Sequence, residues 1–292
     1  MKRYVATIGM FDGVHRGHQF VLQQVVTTAR ERGFHSMAIT FDHSLHRDLV
    51  LTSLDEKLSL LSKTDIDRVE VLSFTEELKQ MTARQFMEQV LKGQLGVEVL
   101  LTGYDNRFGH NREEGFDDYV RYGRELGIEV LQLPAKGKVS SSLIRQMLQE
   151  GRVREAAECL GHPYTIMGSV EHGEHVGTQL GFPTANLVLA DKCQLVPAAG
   201  VYAVRVRIER DTTQKLGMMN IGHRPTFDGH QQTLEVNIFQ LHKDLYGQQL
   251  EVSFVERLRE ERRFDTPEAL AQQLRHDALQ VQEILNQTNN EI

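Results

Sequence analysis

The sequence predicts an α/β half built on a parallel sheet, followed by a small antiparallel β-barrel with a C-terminal helix. In residues 1–160, short apolar runs alternate with amphipathic stretches, which is typical of parallel strands covered by helices on both faces. In residues 161–292 the period changes, and apolar and polar residues alternate as in half-buried strands that close into a barrel. We therefore predict one domain over 1–160 and a second over 161–292.

The elements of the first half follow one another as strand, helix, strand. Strands are predicted at 3–9, 37–41, 68–72, 97–102 and 129–133, and helices at 17–31, 54–61, 83–91, 115–126 and 141–150. In the first helix, a mostly apolar face is expected to contain Phe20, Val21, Gln24, Val25 and Thr28. Sheets of this kind bind ligands beyond the carboxyl ends of their strands.

The second half supplies fewer clear elements. A helix is predicted at 153–160, just before the boundary, and strands are predicted at 201–208, 234–239 and 250–258. The last element is a helix over 267–285, with Thr266 as its N-cap and Pro267 at its first position.

Composition excludes several classes of protein. A formal net charge of -7 argues against general nucleic-acid binding, which needs clustered Lys and Arg. Two cysteines, Cys159 and Cys193, give no disulfide framework. No apolar run has the length of a membrane span, and the start of the chain does not resemble a signal peptide. We predict a cytoplasmic protein without nucleic-acid or membrane partners.

The first candidate site follows the first strand directly, at Gly-Met-Phe-Asp-Gly-Val-His-Arg-Gly-His over 9–18. Glycines allow close approach of the backbone to a ligand, and the N-terminus of the next helix attracts phosphate. His15 and His18 can donate hydrogen bonds to the charge that develops on a phosphate. The other ligand-binding candidates here are Gly9, Phe11, Asp12, Gly13 and Gly17. A plain glycine-rich turn with two surface histidines, or part of a zinc site, would give a similar pattern.

This motif resembles the opening of the bacterial bifunctional riboflavin kinase/FMN adenylyltransferase family, within the His-x-Gly-His nucleotidyltransferases. The resemblance implies a Rossmann-like nucleotidyltransferase fold for the first domain. The stretch Gly-Tyr-Asp-Asn-Arg-Phe-Gly at 103–109 resembles the family's flavin-side element, which implies that Asp105 and Phe108 contact flavin. Asn106 stands where the family has an aromatic residue, and Phe-Asp-His-Ser-Leu at 41–45 lacks the two prolines usual there.

A third element, Val-Ser-Ser-Ser-Leu-Ile-Arg at 139–145, resembles the family's Ile-Ser-Ser-Thr-x-Ile-Arg signature. Ser141 and Ser142 lie where a helix is expected to begin, so their hydroxyl and N–H groups can cap the helix or bind phosphate. Arg145, one turn later, can offer a planar fork to a phosphate. A plain N-cap followed by a surface arginine is the alternative interpretation of these residues.

The second candidate site is Leu-Gly-Phe-Pro-Thr-Ala-Asn at 180–186, which resembles the riboflavin kinase signature. Pro183 fixes an extended turn that can hold the Thr184 hydroxyl and the Asn186 amide near magnesium–ATP. We therefore predict Thr184 and Asn186 as ligands of Mg²⁺, with Gly181 and Pro183 also at the nucleotide. Alone, this composition is also typical of a structural turn.

The resemblance continues to the end of the chain. Leu-Glu-Val-Asn at 234–237 falls where the family carries its catalytic glutamate, which implies Glu235 as the general base. Arg259 and Glu261 lie in a segment that resembles the family's element closing over flavin. Asn237 stands where a histidine is usual, and the loop at 173–178 lacks the basic residues often found there.

The family implies two reactions with ATP as co-substrate: phosphorylation of riboflavin to FMN, then adenylylation of FMN to FAD with release of pyrophosphate. Three alternatives remain: a riboflavin kinase with weak or lost adenylyltransferase activity, a non-catalytic flavin-binding or sensing protein, and a first domain that activates another phosphorylated metabolite. Flavin-requiring apoproteins are conceivable partners, but no motif in the sequence indicates them.

Overall fold

The computed structural model describes residues 2–42, 49–104, 106–110, 113–134, 137, 139–172, 181–209, 211–226, 229–241 and 243–289. The chain divides into two compact units, Met1–Ser141 and Ser142–Ile292. This division comes earlier than the predicted domain boundary after residue 160, because two helices that precede the barrel belong to the second unit. The boundary between the functional domains therefore stays a prediction.

The first unit contains a five-stranded parallel sheet. Its strands are β1 (Tyr4–Ile8), β2 (His35–Phe41), β3 (Arg68–Leu72), β4 (Val97–Thr102) and β5 (Glu129–Gln132), so all five predicted strands are confirmed. The order β3-β2-β1-β4-β5 places β1 between β2 and β4. The winding direction reverses at β1, and open α/β sheets bind their ligands at this switch point.

Helices connect these strands. They are α1 (Arg16–Arg32), α2 (Leu54–Ser62), α3 (Glu76–Gln80), α4 (Ala83–Gln85) and α5 (Phe116–Leu126), and α4 continues into a π-helix (Phe86–Gln94). The predicted helix at 83–91 is thus mostly π-helical, and α3 was not predicted. The predicted apolar face of α1 is correct only in part: α1 buries Leu22, Val25, Val26 and Ala29, of which Val25 was predicted. Phe20 and Val21 are only half-buried.

The second unit begins with α6 (Ser141–Gln149), whose first residue belongs to the first unit, and α7 (Val153–Leu160). Six strands then form a closed antiparallel barrel in the order β10-β7-β6-β11-β8-β9. They are β6 (Thr165–Glu171), β7 (Ala185–Leu189), β8 (Gly200–Ile208), β9 (Lys215–Thr226), β10 (Gly229–Ile238) and β11 (Gln249–Arg259). The barrel and its strands β8, β10 and β11 were predicted, whereas β6, β7 and β9 were not.

The last element is α8 (Pro267–Asn289), which packs on the outer face of the barrel. Along β8, Val204 and Val206 point into the barrel and are fully buried, whereas Arg205 and Arg207 point outward. Ala203 is therefore an outward residue, yet it is buried because it packs with Met218 and with Val281 of α8. The predicted N-cap of this helix is confirmed, since Ala269 N–H donates to Thr266 Oγ1 over 3.2 Å.

Among the described residues we find no helix with the length and apolarity needed to cross a membrane.

Candidate active sites

The turn between β1 and α1 has an unusual backbone. Phe11 (φ 49°) and Val14 (φ 38°) lie in the left-handed region together with Gly13 (φ 80°). A β-branched residue such as Val14 is rarely found there, and each such residue costs on the order of 1–3 kcal/mol. Contacts from elsewhere in the unit must therefore hold the turn in this shape.

These contacts come from the segment before α2 and from the start of α6. The buried Asp12 carboxylate accepts hydrogen bonds from the N–H groups of Leu51 (2.9 Å) and Thr52 (3.2 Å). The Thr52 hydroxyl accepts one from Gly13 N–H over 3.1 Å, and Ser141 Oγ donates to the Asp12 carbonyl over 3.0 Å. Asp12 and Ser141 thus hold the turn itself, and their direct contact with a ligand stays a prediction. No motif indicates the part played by Thr52.

The structure brings the two predicted histidines together. The His15 and His18 rings stack with centroids 3.7 Å apart, and the edge of the Phe11 ring contacts His18 at 5.3 Å. His15 is also the N-cap of α1, because its Nδ1 accepts the His18 N–H over 3.3 Å. An imidazole that accepts at Nδ1 carries its proton on Nε2 when neutral. The Nε2–H group of His15 is therefore the donor left for a ligand.

Both imidazoles are held in the neutral form. Burial lowers the pKa of His15 to about 4, against a smaller opposing effect of Asp12. Burial also lowers the pKa of His18 well below its usual value, with further contributions from His15 and Lys57. Within the described residues, Nδ1 of His18 is buried and has no hydrogen-bond partner, so a ligand can satisfy it.

We expect the free energy of unfolding to fall when the pH is lowered from 6.5 towards 4. In this range the unfolded chain binds a proton at His15 that the folded protein does not bind, because burial lowers the folded-state pKa of His15 to about 4. The loss is about 1.4 kcal/mol per pH unit for this histidine, and His18 adds to it. Urea unfolding of the full chain at several pH values measures the slope.

The double variant His15→Asn/His18→Asn should show a shallower slope than the wild-type protein. His276→Asn, which changes an exposed histidine of α8, should keep the wild-type slope. Equal slopes in all three proteins would contradict the buried, neutral state of the pair.

Two glycines of the turn are needed for the packing of these rings. A Cβ atom at Gly17 would lie 3.1 Å from the His15 ring, and one at Gly9 would lie 3.3 Å from the Phe11 ring. Contacts this close would force the rings to move. Gly9 and Gly17 therefore have a structural role beside their predicted one at the ligand.

The predicted flavin-side residues lie near the same edge of the sheet. Asn106 follows β4 and donates a hydrogen bond from its amide to the carbonyl of Ile8, at the end of β1. Phe108 is buried, and its ring stacks on Tyr119 at 4.1 Å. The Tyr119 hydroxyl accepts from Phe108 N–H over 2.9 Å. Phe108 therefore anchors this loop in the core, and its contact with flavin stays a prediction.

Several predicted positions are not placed at this site. Asp105 and positions 43–45 lie outside the described residues. Ser142 and Arg145 lie in α6, in the part of the helix that belongs to the second unit. Their role beside the histidine pair rests on the resemblance and stays a prediction.

In the second unit, the strand register brings predicted residues together. Asn186 of β7 lies directly opposite Glu235 of β10, which in turn lies opposite Asn220 of β9. Register partners on neighbouring strands project from the same face of the sheet. Because Leu234 and Val236 are buried inside the barrel, this row of three polar residues lies on the outer face.

Thr184 lies two residues before Asn186 and lines a cavity of about 290 Å³. The cavity has a mixed lining of polar and apolar side chains, which includes Val170, Pro183, Val236, Ile238, Lys243, Asp244 and Tyr246. Asn237 donates from its amide to the Pro183 carbonyl over 2.6 Å. Asn237, which stands where the family usually has a histidine, therefore fixes the Pro183–Thr184 segment. Gly181 has a φ of 79°, which favours glycine.

The segment after β11 bends over the outer face. Arg259, the last residue of β11, is held in a bidentate pair with the buried Asp277 of α8: Nε donates to Oδ1 over 3.2 Å and a terminal N–H group donates to Oδ2 over 2.8 Å. Glu261 lies over Gly222 of β9, where a Cβ atom would collide with its carboxylate and crowd Asn220. Glu261 therefore lies beside the row that contains Glu235. Arg259 is engaged by the helix, and its contact with flavin stays a prediction.

The oxygen donors of this face suit a hard cation. Among the described residues, no group of three or more His, Cys, Asp or Glu side chains could hold a metal ion. The hydroxyl of Thr184 and the amide oxygen of Asn186 are ligands of the kind that Mg²⁺ accepts when phosphates and waters complete its shell.

A histidine pair at the switch point of a parallel sheet, and a row of oxygen-bearing side chains on the barrel of the second unit, are compatible with a transferase that acts on phosphate groups. The comparisons agree with this class. The family model described as FAD synthetase matches residues 1–144, and the model described as riboflavin kinase matches residues 160–285. The chain belongs to the bifunctional riboflavin kinase/FMN adenylyltransferase family.

Similar proteins cover nearly the whole chain. The bifunctional riboflavin kinase/FMN adenylyltransferase of Listeria monocytogenes is 36% identical over 287 residues, which are 94% of this chain and 90% of the relative. The protein of the same name from Escherichia coli K12 is 36% identical over 295 residues, 97% of this chain and 93% of the relative.

A solved structure from Streptococcus pneumoniae, described as a macrolide-efflux protein, matches with a TM-score of 0.87 and 32% identity. The match covers 96% of this chain and 94% of that one. The description as a macrolide-efflux protein applies to that protein only. The match shows that the two chains share a fold.

Proposed function

We propose that the second unit forms FMN from riboflavin and ATP at the outer face of its barrel, and that the first unit forms FAD from FMN and a second ATP at the histidine pair. The observation that carries this proposal is that each unit has its own cluster of polar side chains suited to phosphate: the stacked pair of His15 and His18 in the first, and the row that contains Asn186 and Glu235 in the second. Binding flavin without catalysis would not need both sets.

At the barrel, Glu235 is the proposed general base. Its carboxylate takes the proton of the riboflavin 5′-hydroxyl as the oxygen attacks the γ-phosphorus of ATP, and ADP leaves. Asn186 and Thr184 would hold Mg²⁺ with the phosphates, and a bound Mg²⁺ would neutralise phosphate charge. The register of Asn186 opposite Glu235 supports this arrangement, because the two side chains project from the same face of neighbouring strands.

The cavity beside Thr184 is proposed to receive ATP. Its apolar side chains suit a purine base, and Lys243, which also lines it, can pair with phosphate. Glu261, which lies over the outer face of the barrel, would contact the flavin side.

At the parallel sheet, an oxygen of the FMN phosphate attacks the α-phosphorus of ATP. The bond from the α-phosphorus to the bridging oxygen breaks, and pyrophosphate leaves with the electron pair. His15 donates from Nε2–H and His18 from its ring to the charge that develops on the phosphates. No covalent enzyme intermediate is needed, so positioning and charge stabilisation carry the step. Ser142 and Arg145 are proposed as further phosphate ligands, on the resemblance alone.

A riboflavin kinase with weak adenylyltransferase activity is the second candidate. It is favoured by the state of the flavin-side loop, where Asn106 is bonded to the Ile8 carbonyl and Phe108 is packed in the core. Fewer side chains of this loop are then available to contact the isoalloxazine ring of the flavin. Mg²⁺ as the metal and a cytoplasmic location remain part of the proposal.

One assay separates these functions. The purified protein is incubated with riboflavin, ATP and Mg²⁺, and the flavins are resolved by chromatography over time. We expect FMN first and FAD later, with ADP and pyrophosphate as the by-products. FMN alone would support the kinase with a lost second activity, and bound but unchanged riboflavin would support a flavin sensor.

A further inference from the structure

Lys57 is a fully buried lysine in α2, with an exposed fraction of 0%. Its Nζ donates to the carbonyl of Phe41 over 2.8 Å and to the carbonyl of Met10 over 3.3 Å. Phe41 is the last residue of β2, and Met10 lies in the strained turn that follows β1. One ammonium group therefore joins the carboxyl ends of two neighbouring strands, at the edge where the histidine pair lies.

Burial of this ammonium group is costly, because a charged lysine loses its hydration. Burial lowers the pKa of Lys57 to about 8, although Asp12 and Asp42 oppose the shift. A methionine would fill a similar volume without this penalty. Lysine at this position therefore calls for a role that an apolar side chain could not perform.

The contacts of Lys57 lead to the histidines through the turn. Met10, whose carbonyl accepts from Nζ, precedes Phe11, which has a φ of 49°. The Phe11 ring packs edge-on against His18, which stacks on His15. The charge of Lys57 also acts on His18 directly and disfavours its protonation. The titratable groups that face Lys57 are thus Asp12 in the turn, Asp42 after β2 and His18 in α1.

We infer that Lys57 is a positioning residue for adenylyl transfer: it fixes the Met10–Phe11 turn and so holds the histidine rings in their stacked arrangement. This inference rests on the proposed role of His15 and His18. In this role Lys57 acts through the turn, because its buried Nζ donates to the carbonyls of Met10 and Phe41. Its positive charge also attracts the triphosphate towards this edge of the sheet, because the surrounding protein screens it poorly.

The test compares Lys57→Met with the wild-type protein and with Lys63→Met, which changes an exposed lysine at the end of the same helix. FAD formation from supplied FMN and ATP is followed from pH 6.5 to 9.5, with kcat and KM determined separately. In the wild-type protein we expect kcat to fall as the pH rises through about 8, where Lys57 loses its proton.

Lys57→Met should lower kcat at pH 7 on the order of 10- to 100-fold, because displaced catalytic groups lose their alignment. It should lack the alkaline fall and leave KM for FMN within about threefold, since the ammonium does not bind FMN. Riboflavin phosphorylation by the same sample should be unchanged, which shows that the second unit has folded, and the retained KM for FMN shows the same for the first unit, which contains Lys57. Lys63→Met should match the wild-type protein throughout.

Two results would overturn the inference. One is a Lys57→Met protein that keeps both the wild-type kcat and the alkaline fall. The other needs no variant: a wild-type kcat that stays level from pH 7 to 9.5. A wild-type protein that forms no FAD at any pH would instead refute the proposed function of the first unit.

Discussion

Replacing Glu235 by glutamine is expected to stop FMN formation, with a fall in rate of roughly 10²- to 10⁴-fold. Glutamine keeps the size and the register opposite Asn186, but its amide cannot take the proton of the 5′-hydroxyl. FMN supplied directly should still be converted to FAD at the wild-type rate, because the histidine pair belongs to the other unit. Chromatography of the flavins measures both reactions in one sample.

Glu251→Gln is the matched control, since Glu251 is a barrel glutamate on β11 that pairs with Arg207 of β8. Loss of this ion pair should leave both reactions nearly unchanged, because an ion pair at the surface contributes little to stability. If Glu235→Gln retained FMN formation, another group would have to be the base. If it stopped both reactions, the assignment of one reaction to each unit would be wrong.

Replacing His15 and His18 together by asparagine is expected to have the reverse effect. FAD formation should fall by about 10³-fold or more, because loss of a single donor to a developing charge already costs on the order of 10²- to 10³-fold. Riboflavin phosphorylation should continue at the wild-type rate. The two rates are again read from one chromatogram, starting from riboflavin and, separately, from FMN.

His35→Asn is the control for this pair. His35 is an exposed histidine of the same sheet, at the amino end of β2, and so lies at the opposite edge from the turn. It should leave FAD formation unchanged. Retention of FAD formation in the double variant would remove the histidines from the mechanism and would support a plain glycine-rich turn.

The strands of the parallel sheet could be predicted because each one is a short apolar run between polar segments. β3 and β4 even begin and end at the predicted residues. The barrel strands were harder: β6 is interrupted by Gly168, and β9 contains Gly217, Gly222 and Pro225, which interrupt its alternation. β7 follows Pro183 and Thr184 directly, so its first residues were interpreted as part of a turn.

The α1 face shows the limit of periodicity. The helical period was predicted correctly. The buried face is rotated about the helix axis, so that Leu22 and Val26 are buried in place of Phe20 and Val21. The packing of the helix on the neighbouring strands decides which face is buried, and the sequence of the helix alone does not show it. The π-helix was not predicted for a similar reason: nothing in its apolar pattern distinguishes it from an α-helix.

Motif similarity found the histidine pair and Glu235, because both lie in short, distinctive stretches. It did not find Thr52 and Lys57, which reach the turn from a segment that is distant in sequence. It also assigned Arg259 to flavin, which stays a prediction, and it did not reveal that Arg259 pairs with Asp277.

The Arg259–Asp277 pair has a consequence for how the molecule is made. All six barrel strands leave the ribosome before Asp277 does. Arg259, at the end of β11, can therefore form its pair with Asp277 only after the barrel strands have been synthesised. The contacts that shape the β1–α1 turn are complete once Ser141 has been synthesised. In a nascent chain, the first unit, which is proposed to form FAD, would thus be complete before the second unit, which is proposed to form the FMN that the first unit uses.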